Sequence, residues 1–217
     1  MTLPSGGVQV FGIIPAAGMS RRMGRPKQTL AYGSSTITGT VARTLLGADI
    51  DGLVVVTRTE LVEALDLPTD PRVAVAINDD ADSEMIDSIC IGLEMLAKPY
   101  SEPQALAHAG RRPEKTPACP DAGVLVVPGD MPALSAESCR TCTAAFVADP
   151  SRIVVATYKG KHAHPIVFPF SLGPAVAKLS DGLRSLAHTY AGRVFPIEVD
   201  DPGATRDINT PEDYEPT

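Results

Sequence analysis

The stretch IIPAAGMSRRMGRPKQTLAYG, Ile13 to Gly33, decides the fold assignment of this sequence. An apolar run is followed here by several small residues. Four basic side chains then occur within seven positions, namely Arg21, Arg22, Arg25 and Lys27. Small residues let a backbone turn approach a ligand closely and expose its N–H groups, while basic side chains supply positive charge. The stretch therefore predicts an anion-binding loop directly after a buried strand.

The spacing of the glycines excludes two common phosphate-binding motifs. Gly24 stands at the sixth position after Gly18, but no Lys-Ser/Thr pair follows it, and G-x-G-x-x-G is also absent. A kinase or dehydrogenase interpretation loses its main support. A basic surface loop without a ligand is the alternative, but solvated charge does not explain small residues placed directly behind a buried strand.

Composition limits the partners that this chain can bind. It has 217 residues, 44% of them hydrophobic, and a net charge of -7, which together favour one globular domain over 1–217. An acidic protein repels nucleic acid and anionic membranes, so we expect neither as a partner and expect a small anion instead. The sequence begins without a signal-peptide pattern and contains no apolar run of about 18 residues, which predicts a cytoplasmic protein.

Apolar, β-branched runs alternate with segments of helical spacing along the chain. This order predicts an α/β fold with a mainly parallel, Rossmann-like sheet between two helix layers, a three-layer α/β/α sandwich. Ligands of such folds bind at the carboxyl ends of the strands. The predicted strands are Val8 to Ile14, Gly52 to Thr57, Arg72 to Ile77, Gly123 to Pro128, Arg152 to Thr157 and Val194 to Val199, and the helical segments are Thr36 to Leu46, Glu60 to Leu65, Met85 to Leu96 and Ser135 to Val147.

The segment 98–122 interrupts this alternation. It contains five prolines and has no strong periodicity, so we expect a long, Pro-rich surface loop within the single domain. Its basic residues Arg111, Arg112 and Lys115 are more typical of a solvated cluster than of a ligand site.

The pair Cys139 and Cys142 forms a C-x-x-C motif, which in isolation is compatible with half of a zinc site or a redox pair. Together with Phe146, however, the two cysteines share one face of a helix. We therefore expect buried, structural cysteines, and four cysteines in 217 residues do not suggest a disulfide framework.

Two further motifs place oxygen ligands after predicted strands. Asp130 lies in a Gly-Asp-Met-Pro turn, and Asp207 and Asn209 lie two positions apart, so they face the same way on an extended chain. Mg²⁺ prefers one or two carboxylates together with ligand phosphate oxygens. The following Thr210 to Asp213, TPED, has the pattern of a helix N-cap with Pro in the first turn.

In combination, these motifs resemble the nucleotidyltransferases of the molybdenum-cofactor type, and among them the molybdenum-cofactor cytidylyltransferases most closely. The matching features are the Ala-Ala-Gly-x-Ser-x-Arg-Met-Gly loop ending in Lys27, the Gly-Asp-Met-Pro turn and the motif Asp-Ile-Asn-Thr-Pro-Glu-Asp near the C-terminus. The resemblance implies the sheet of the nucleotide-diphospho-sugar transferase type. It covers nearly the whole chain in order.

The resemblance also assigns roles to single residues. It implies a nucleoside triphosphate over the first loop, with Arg22, Lys27 and Asp130 as the catalytic residues, and with Asp130 and Asp207 or Asn209 as ligands of Mg²⁺ or Mn²⁺. Family usage of Ala17, where guanylyl-transferring relatives have Gly, favours CTP. The implied nucleotide-binding residues are Ala16, Ala17, Gly18, Ser20, Arg21, Arg22, Lys27, Asn78 and Ser88.

Two segments match the family less closely. Glu84 stands where Gly is usual before Met85, and Ala163 replaces the Gly before His164 and Pro165, which the resemblance implies shape the acceptor pocket. His162 and His164 alternate on a predicted strand, but a two-His metal site lacks a third ligand there.

The resemblance implies transfer of CMP from CTP to the phosphate of an acceptor, molybdopterin, with release of pyrophosphate. The product's recipient would be a molybdoenzyme. Three alternatives stay open at this point: guanylyl transfer, a sugar or polyol phosphate as acceptor, and a non-catalytic accessory protein that binds the nucleotide or the cofactor.

Overall fold

The computed structural model describes residues 7–20, 22–97, 121–179 and 182–214. Arg21, and all of the predicted loop 98–122 except its last two residues, lie outside the described part of the chain, as do Arg111, Arg112 and Lys115. The strands and helices are β1 (Val10–Pro15), β2 (Ala31–Tyr32), β3 (Ser35–Thr36), α1 (Ile37–Leu46), β4 (Gly52–Thr57), β5 (Val73–Ile77), α2 (Met85–Ala97), β6 (Gly123–Val126), α3 (Ala136–Ala148), β7 (Ile153–Tyr158), β8 (Lys161–Pro169), α4 (Gly173–Val176), α5 (Leu183–Thr189) and β9 (Val194–Glu198).

Seven strands form one sheet in the order β5-β4-β1-β6-β8-β7-β9. The pairs β1/β4, β1/β6, β4/β5 and β7/β9 are parallel, while β8 is antiparallel to both β6 and β7. The prediction of a mainly parallel sheet is confirmed. Because β1 connects onward to β4 on one side and pairs with β6 on the other, the strand order reverses beside β1, where α/β folds bind ligands.

Helices cover both faces of the sheet. Alternate side chains of β1 point to opposite faces, so that Ile14 joins one core cluster and Ile13 the other. The first cluster includes side chains of α1 and α3, and the second includes side chains of α2, α4 and α5. The three-layer α/β/α prediction is therefore confirmed.

The two cysteines of the C-x-x-C motif lie on α3 and are fully buried with Phe146 in the first cluster. Burial raises the pKa of the Cys142 thiol to about 12 and also raises the pKa of Cys139. Both thiols are free and protonated at neutral pH, which confirms their structural role.

The predicted helix Glu60 to Leu65 is a 3-10 helix, Thr59–Leu65. Both of its ends are fixed from outside: the Asp79 carboxylate accepts from the Thr59 N–H at 2.8 Å, and the Leu65 carbonyl accepts from the Thr36 hydroxyl. A 3-10 helix rises about 2.0 Å per residue and spans such a fixed gap with fewer residues than an α-helix.

No α-helix begins at Thr210 within the described residues, which end at Tyr214; 210–213 form a single turn instead. The cap hydrogen bonds are nevertheless present, since the Asp213 carboxylate accepts from the Thr210 N–H at 2.8 Å and from the Asn209 N–H at 3.1 Å. The Tyr214 hydroxyl donates to the Ala31 carbonyl at 2.7 Å, which joins the end of the described chain to β2.

Among residues 7–20, 22–97, 121–179 and 182–214, no helix has both the length and the apolar character that a bilayer crossing requires.

The buried Asp201 carboxylate joins the start of α3 to the C-terminal part of the chain. It accepts from the Ser135 N–H at 2.9 Å, the Ser138 hydroxyl at 2.8 Å and the Gly203 N–H at 2.9 Å. Burial would raise the pKa of Asp201, but these hydrogen bonds outweigh it and hold the pKa below its ordinary value.

We expect Asp201→Ala to lower the free energy of unfolding by about 2–4 kcal/mol at pH 7, because it leaves buried donors unsatisfied. A carboxylate with a lowered pKa stabilises the fold above its unfolded pKa of about 3.9 and loses that contribution as the pH falls below it. The difference from wild type should therefore shrink in urea denaturation at acidic pH. Asp200→Ala, at an exposed neighbour, is the control; an equal loss in both variants would contradict this role.

Candidate functional site

Four segments surround a cleft of about 550 Å³ at the carboxyl edge of the sheet. We name them the β1 loop (residues 16–28), the β6 turn (128–130), the β5–α2 loop (78–84) and the C-terminal segment (205–214). Residues that line the cleft are Pro15, Ala16, Ala17, Gly18, Met19, Ser20, Arg22, Lys27, Gln28, Ala81, Asp82, Ser83, Glu84, Met85, Ser88, Pro128, Gly129, Asp130 and Asn209. The convergence that the strand order predicts is thus observed.

The β1 loop presents a row of free backbone donors. Ala16 N–H still donates to the Val56 carbonyl at 2.7 Å, as a continuation of the sheet. The next four N–H groups, from Ala17 to Ser20, donate to no residue in the described part of the chain. Consecutive free N–H groups at a loop following a strand form an anion-binding site.

Gly129 and Gly18 differ in whether packing would allow a side chain at their positions. A Cβ on Gly129 would lie 2.8 Å from the Ala16 Cβ, so the β6 turn and the β1 loop pack as closely as they do only without it. A Cβ on Gly18 would meet nothing closer than the Gln28 Nε2 at 3.9 Å. Packing therefore requires Gly129, whereas it imposes no such demand at the exposed Gly18.

Lys27 lies between the two predicted metal-binding segments. Its Nζ donates to Asp130 Oδ2 at 2.7 Å and to Asn209 Oδ1 at 2.8 Å, and the Lys27 and Asp130 side chains are 13% and 16% exposed. Their sequence motifs predict Lys27 at a phosphate and Asp130 at a metal ion. In the structure the two side chains neutralise each other.

Asn209 and Asp207 occupy different positions in this network. Asn209 Nδ2 donates to the Asp207 carboxylate, which leaves Asn209 Oδ1 directed at Lys27. Asp207 is exposed and reaches the Lys27 ammonium only through Asn209. Of the two candidates for a second metal ligand, Asn209 is the one that lies beside Asp130.

The remaining oxygen of Asp130 suits a cation. Asp130 Oδ1 is buried and accepts no hydrogen bond from any residue that the structure describes. A buried carboxylate oxygen without a partner is costly, and a hard cation would satisfy it. The described residues contain no group of three His, Cys, Asp or Glu side chains arranged to hold a metal, so such a cation would need ligand oxygens from a substrate as well.

The C-terminal segment is fixed to the site by its backbone and by a small apolar cluster. Ile208 N–H donates to the Asp130 carbonyl at 2.9 Å. The Ile208 side chain packs with Met23, Leu30 and Ile37. These contacts hold Asn209 opposite Lys27, and they explain why an apolar Met follows the basic residues of the β1 loop.

Asn78 and Ser88 were both predicted to contact a ligand, but they lie at different depths. Asn78 is buried, does not line the cleft, and donates from Nδ2 to the Ser83 hydroxyl at 3.1 Å and to the Ser88 hydroxyl at 3.0 Å. Ser83 and Ser88 do line it. Asn78 thus supports the wall of the cleft from behind.

His164 and Pro165 lie on β8 outside the residues that line the cleft. Burial lowers the pKa of His164, and the nearby Asp130 carboxylate opposes that shift only in part. The His164 Nδ1 atom is buried and has no hydrogen-bond partner among the described residues. His162 is exposed, and no group of three metal-ligating side chains among the described residues includes either histidine.

The basic residues of the β1 loop differ in their exposure and in their contacts. Arg22 is exposed, lines the cleft, and makes no hydrogen bond or ion pair with residues the structure describes. It is therefore available to a ligand. Arg21 lies outside the described residues. Gln28, which no sequence motif indicates, is buried beside the loop at the border of the cleft.

The fold and the site together define a nucleotide-binding α/β protein, in which an anion-binding loop and a carboxylate line the same cleft. The chain belongs to the MobA-like NTP transferase family, whose domain model matches residues 12–194. It is accordingly a nucleotidyltransferase.

Individual proteins resemble this chain over nearly its whole length. The purine catabolism protein PucB of Bacillus subtilis is 26% identical over 216 residues, which cover 95% of this chain and 94% of PucB. The crystal structure of Rv0371c from Mycobacterium tuberculosis has a TM-score of 0.73 at 22% identity and covers 96% of this chain and 97% of its own. A nucleotidyl transferase from Methanothermobacter has a TM-score of 0.71 at 22% identity, covering 96% and 95%.

Proposed function

We propose that this enzyme transfers CMP from CTP to the terminal phosphate of molybdopterin or its molybdenum-bearing form and releases pyrophosphate. The observation that carries the proposal is the cleft itself, which is lined both by the residues with free N–H groups and by the Lys27–Asp130 pair. The order of its motifs and the membership of the MobA-like family support this function.

The triphosphate would lie over the β1 loop. The N–H groups of Ala17 to Ser20 would bind its oxygens, and Arg22 is the exposed cation beside them. Ala17 supports CTP over GTP because family usage pairs Ala-Ala-Gly with pyrimidine nucleotides. A similar fold, with a TM-score of 0.65 at 16% identity, occurs in 4-diphosphocytidyl-2C-methyl-D-erythritol synthase from Anaerococcus prevotii, over 95% of this chain and 93% of the synthase.

A divalent cation, Mg²⁺ or Mn²⁺, would be held by Asp130 and the Asn209 Oδ1 atom. The unpartnered Asp130 Oδ1 supports this assignment, and a manganese complex is known for Rv0371c. Such a cation supplies charge neutralisation and orientation of phosphate oxygens. Asp207 would orient Asn209 rather than bind the cation, since its carboxylate already accepts from the Asn209 amide.

Lys27 would change partners when the substrate binds. In the structure its ammonium occupies the space between Asp130 Oδ2 and Asn209 Oδ1, which a divalent cation would need. With metal and nucleotide bound, Lys27 would leave Asp130 and Asn209 and would bind the negatively charged phosphates in the same cleft. This exchange reconciles the expected roles of Lys27 and Asp130 with their observed contact.

The reaction requires little covalent chemistry from the protein. A phosphate monoester is already nucleophilic at neutral pH, so the acceptor oxygen can attack the α-phosphorus while the bond to pyrophosphate breaks. The chain contributes positioning by the β1 loop and charge stabilisation by Lys27 and Arg22.

One observation favours an acceptor other than molybdopterin. Glu84 lines the cleft and is exposed, at a position where the family usually has Gly. A different phosphate-bearing acceptor, such as a sugar or polyol phosphate, is the alternative that this residue favours.

Product analysis tests the proposed function. We expect pyrophosphate release from CTP only with molybdopterin, and a product heavier than molybdopterin by one CMP residue in mass spectrometry. Glycerol phosphate and sugar phosphates serve as comparison acceptors. Release with a sugar or polyol phosphate alone would assign the alternative acceptor, and binding without release under any condition would favour an accessory protein.

A further inference from the structure

Gln28 is a polar side chain buried beneath the β1 loop, with only 3% of its surface exposed. Both ends of its amide are used. Nε2 donates to the Gly18 carbonyl at 2.6 Å, and Oε1 accepts from the Ser20 hydroxyl at 3.1 Å. One side chain thus fixes two points of the loop that carries the free N–H groups.

The bond to Gly18 determines where a neighbouring donor points. In a trans peptide unit the N–H of the following residue is directed opposite to the carbonyl. Because Gln28 holds the Gly18 carbonyl, the N–H of Met19 is directed away from the Gln28 amide, and it donates to no described residue.

The bond to Ser20 stabilises an unfavourable backbone conformation. Ser20 has a φ of 49°, in the left-handed region that residues with a side chain seldom adopt. Its hydroxyl is fixed from two directions, since it donates to Gln28 Oε1 and accepts from the Lys27 N–H at 3.1 Å. The Ser20 hydroxyl therefore joins the free N–H row to the backbone of Lys27, and Gln28 holds that hydroxyl in place.

We infer that Gln28 is a positioning residue for the triphosphate, an inference that rests on the proposed nucleotide-binding role of the β1 loop. Its amide is engaged with the loop itself, at Gly18 and at Ser20. Its contribution is to hold the N–H groups in their binding orientation before the ligand arrives. Such preorganisation lowers the cost of binding.

The test compares a triphosphate with its nucleoside. In Gln28→Met, which keeps the length and burial of the side chain but neither hydrogen bond, we expect the Kd for Mg²⁺–CTP to rise about 10-fold or more, and the Kd for cytidine to change less than about 2-fold. Isothermal titration calorimetry measures both. The KM for CTP should rise more than kcat falls.

A second variant and a matched control separate the two hydrogen bonds of Gln28 from a general disturbance of the loop. Gln28→Glu retains the acceptor for Ser20 and replaces the donor to Gly18 with a carboxylate, so it should weaken triphosphate binding more than Gln28→Met. Thr29→Val is the matched control, because it removes only the local bond from the Thr29 hydroxyl to the Pro26 carbonyl and should bind like wild type.

Three results would overturn the inference. They are unchanged CTP binding by both variants, an equal loss of CTP and cytidine affinity, and a loss in Thr29→Val as large as in Gln28→Met. Failure of the wild type to bind any of the four nucleoside triphosphates would instead contradict the proposed function, and this inference with it.

Discussion

Asp130→Asn should lower the rate of pyrophosphate release by about 10²- to 10³-fold while the protein remains folded. The amide preserves the shape of the side chain and can still accept from Lys27 Nζ, which lies 2.7 Å from Asp130 Oδ2. It removes the charge that the proposed divalent cation requires, and with it the unpartnered anionic oxygen. A steady-state assay across Mg²⁺ concentrations, together with thermal unfolding, measures both effects.

Asp207→Asn is the control for this experiment, since Asp207 contacts Asn209 but not Lys27 or Asp130 directly. We expect a loss of about 10-fold or less, typical of residues that orient a ligand rather than bind the metal. If Asp207→Asn were the more damaging of the two, the metal would have to be assigned to Asp207. A fully active Asp130→Asn enzyme would remove the cation site from the mechanism.

Lys27→Met should act in opposite directions on metal binding and on turnover. Without nucleotide, the affinity for Mn²⁺ should rise about 10-fold, equivalent to roughly 1.4 kcal/mol, because the ammonium that competes for Asp130 and Asn209 has been removed. Turnover should nevertheless fall by about 10²-fold or more, because a cation that stabilises the phosphates is missing. Electron paramagnetic resonance of free Mn²⁺ gives the affinity independently of activity.

Arg25→Met makes the same change in net charge on an exposed part of the β1 loop and is the matched control. It should leave the affinity for Mn²⁺ within about 2-fold of wild type, since exposed charges interact weakly through water. Weaker Mn²⁺ binding by Lys27→Met than by wild type would contradict the proposed exchange of partners.

The strands that position the site were predictable because each is a nearly continuous apolar run, which is typical of strands covered on both faces. The direction of each strand within the sheet is harder to predict from the sequence. The chain reverses between Tyr158 and Lys161 through Lys159 and Gly160, both with positive φ, and this two-residue turn makes β8 antiparallel. Lys-Gly is a weaker hairpin signal than Asn-Gly, so the reversal was not predicted.

The contact between Lys27 and Asp130 could not be read from the sequence, because 103 positions separate the two residues. Each was interpreted from its own motif as a ligand-binding group, and nothing in either motif indicates that they pair with each other. The parallel pairing of β1 with β6 and the close approach of Gly129 to Ala16 bring the two motifs together, and both depend on the whole fold.

Gln28 was missed for a different reason. A glutamine in a polar, basic loop is most often exposed, and its burial follows only from the turn that Lys27–Thr29 makes under Gly18. Asn78 shows the same limitation, because its motif indicated the correct region while only the structure shows that it lies behind Ser83 and Ser88.

Nucleotide binding by the purified protein tests the central claim most directly. Affinities for CTP, GTP, ATP and UTP, each with and without Mg²⁺, should show a preference for CTP that depends on the metal. A preference for GTP would support the cleft as the nucleotide-binding site but would reassign the reaction to guanylyl transfer. No binding of any nucleotide, with or without Mg²⁺, would contradict the claim that the β1 loop and Asp130 form a nucleotidyltransferase site.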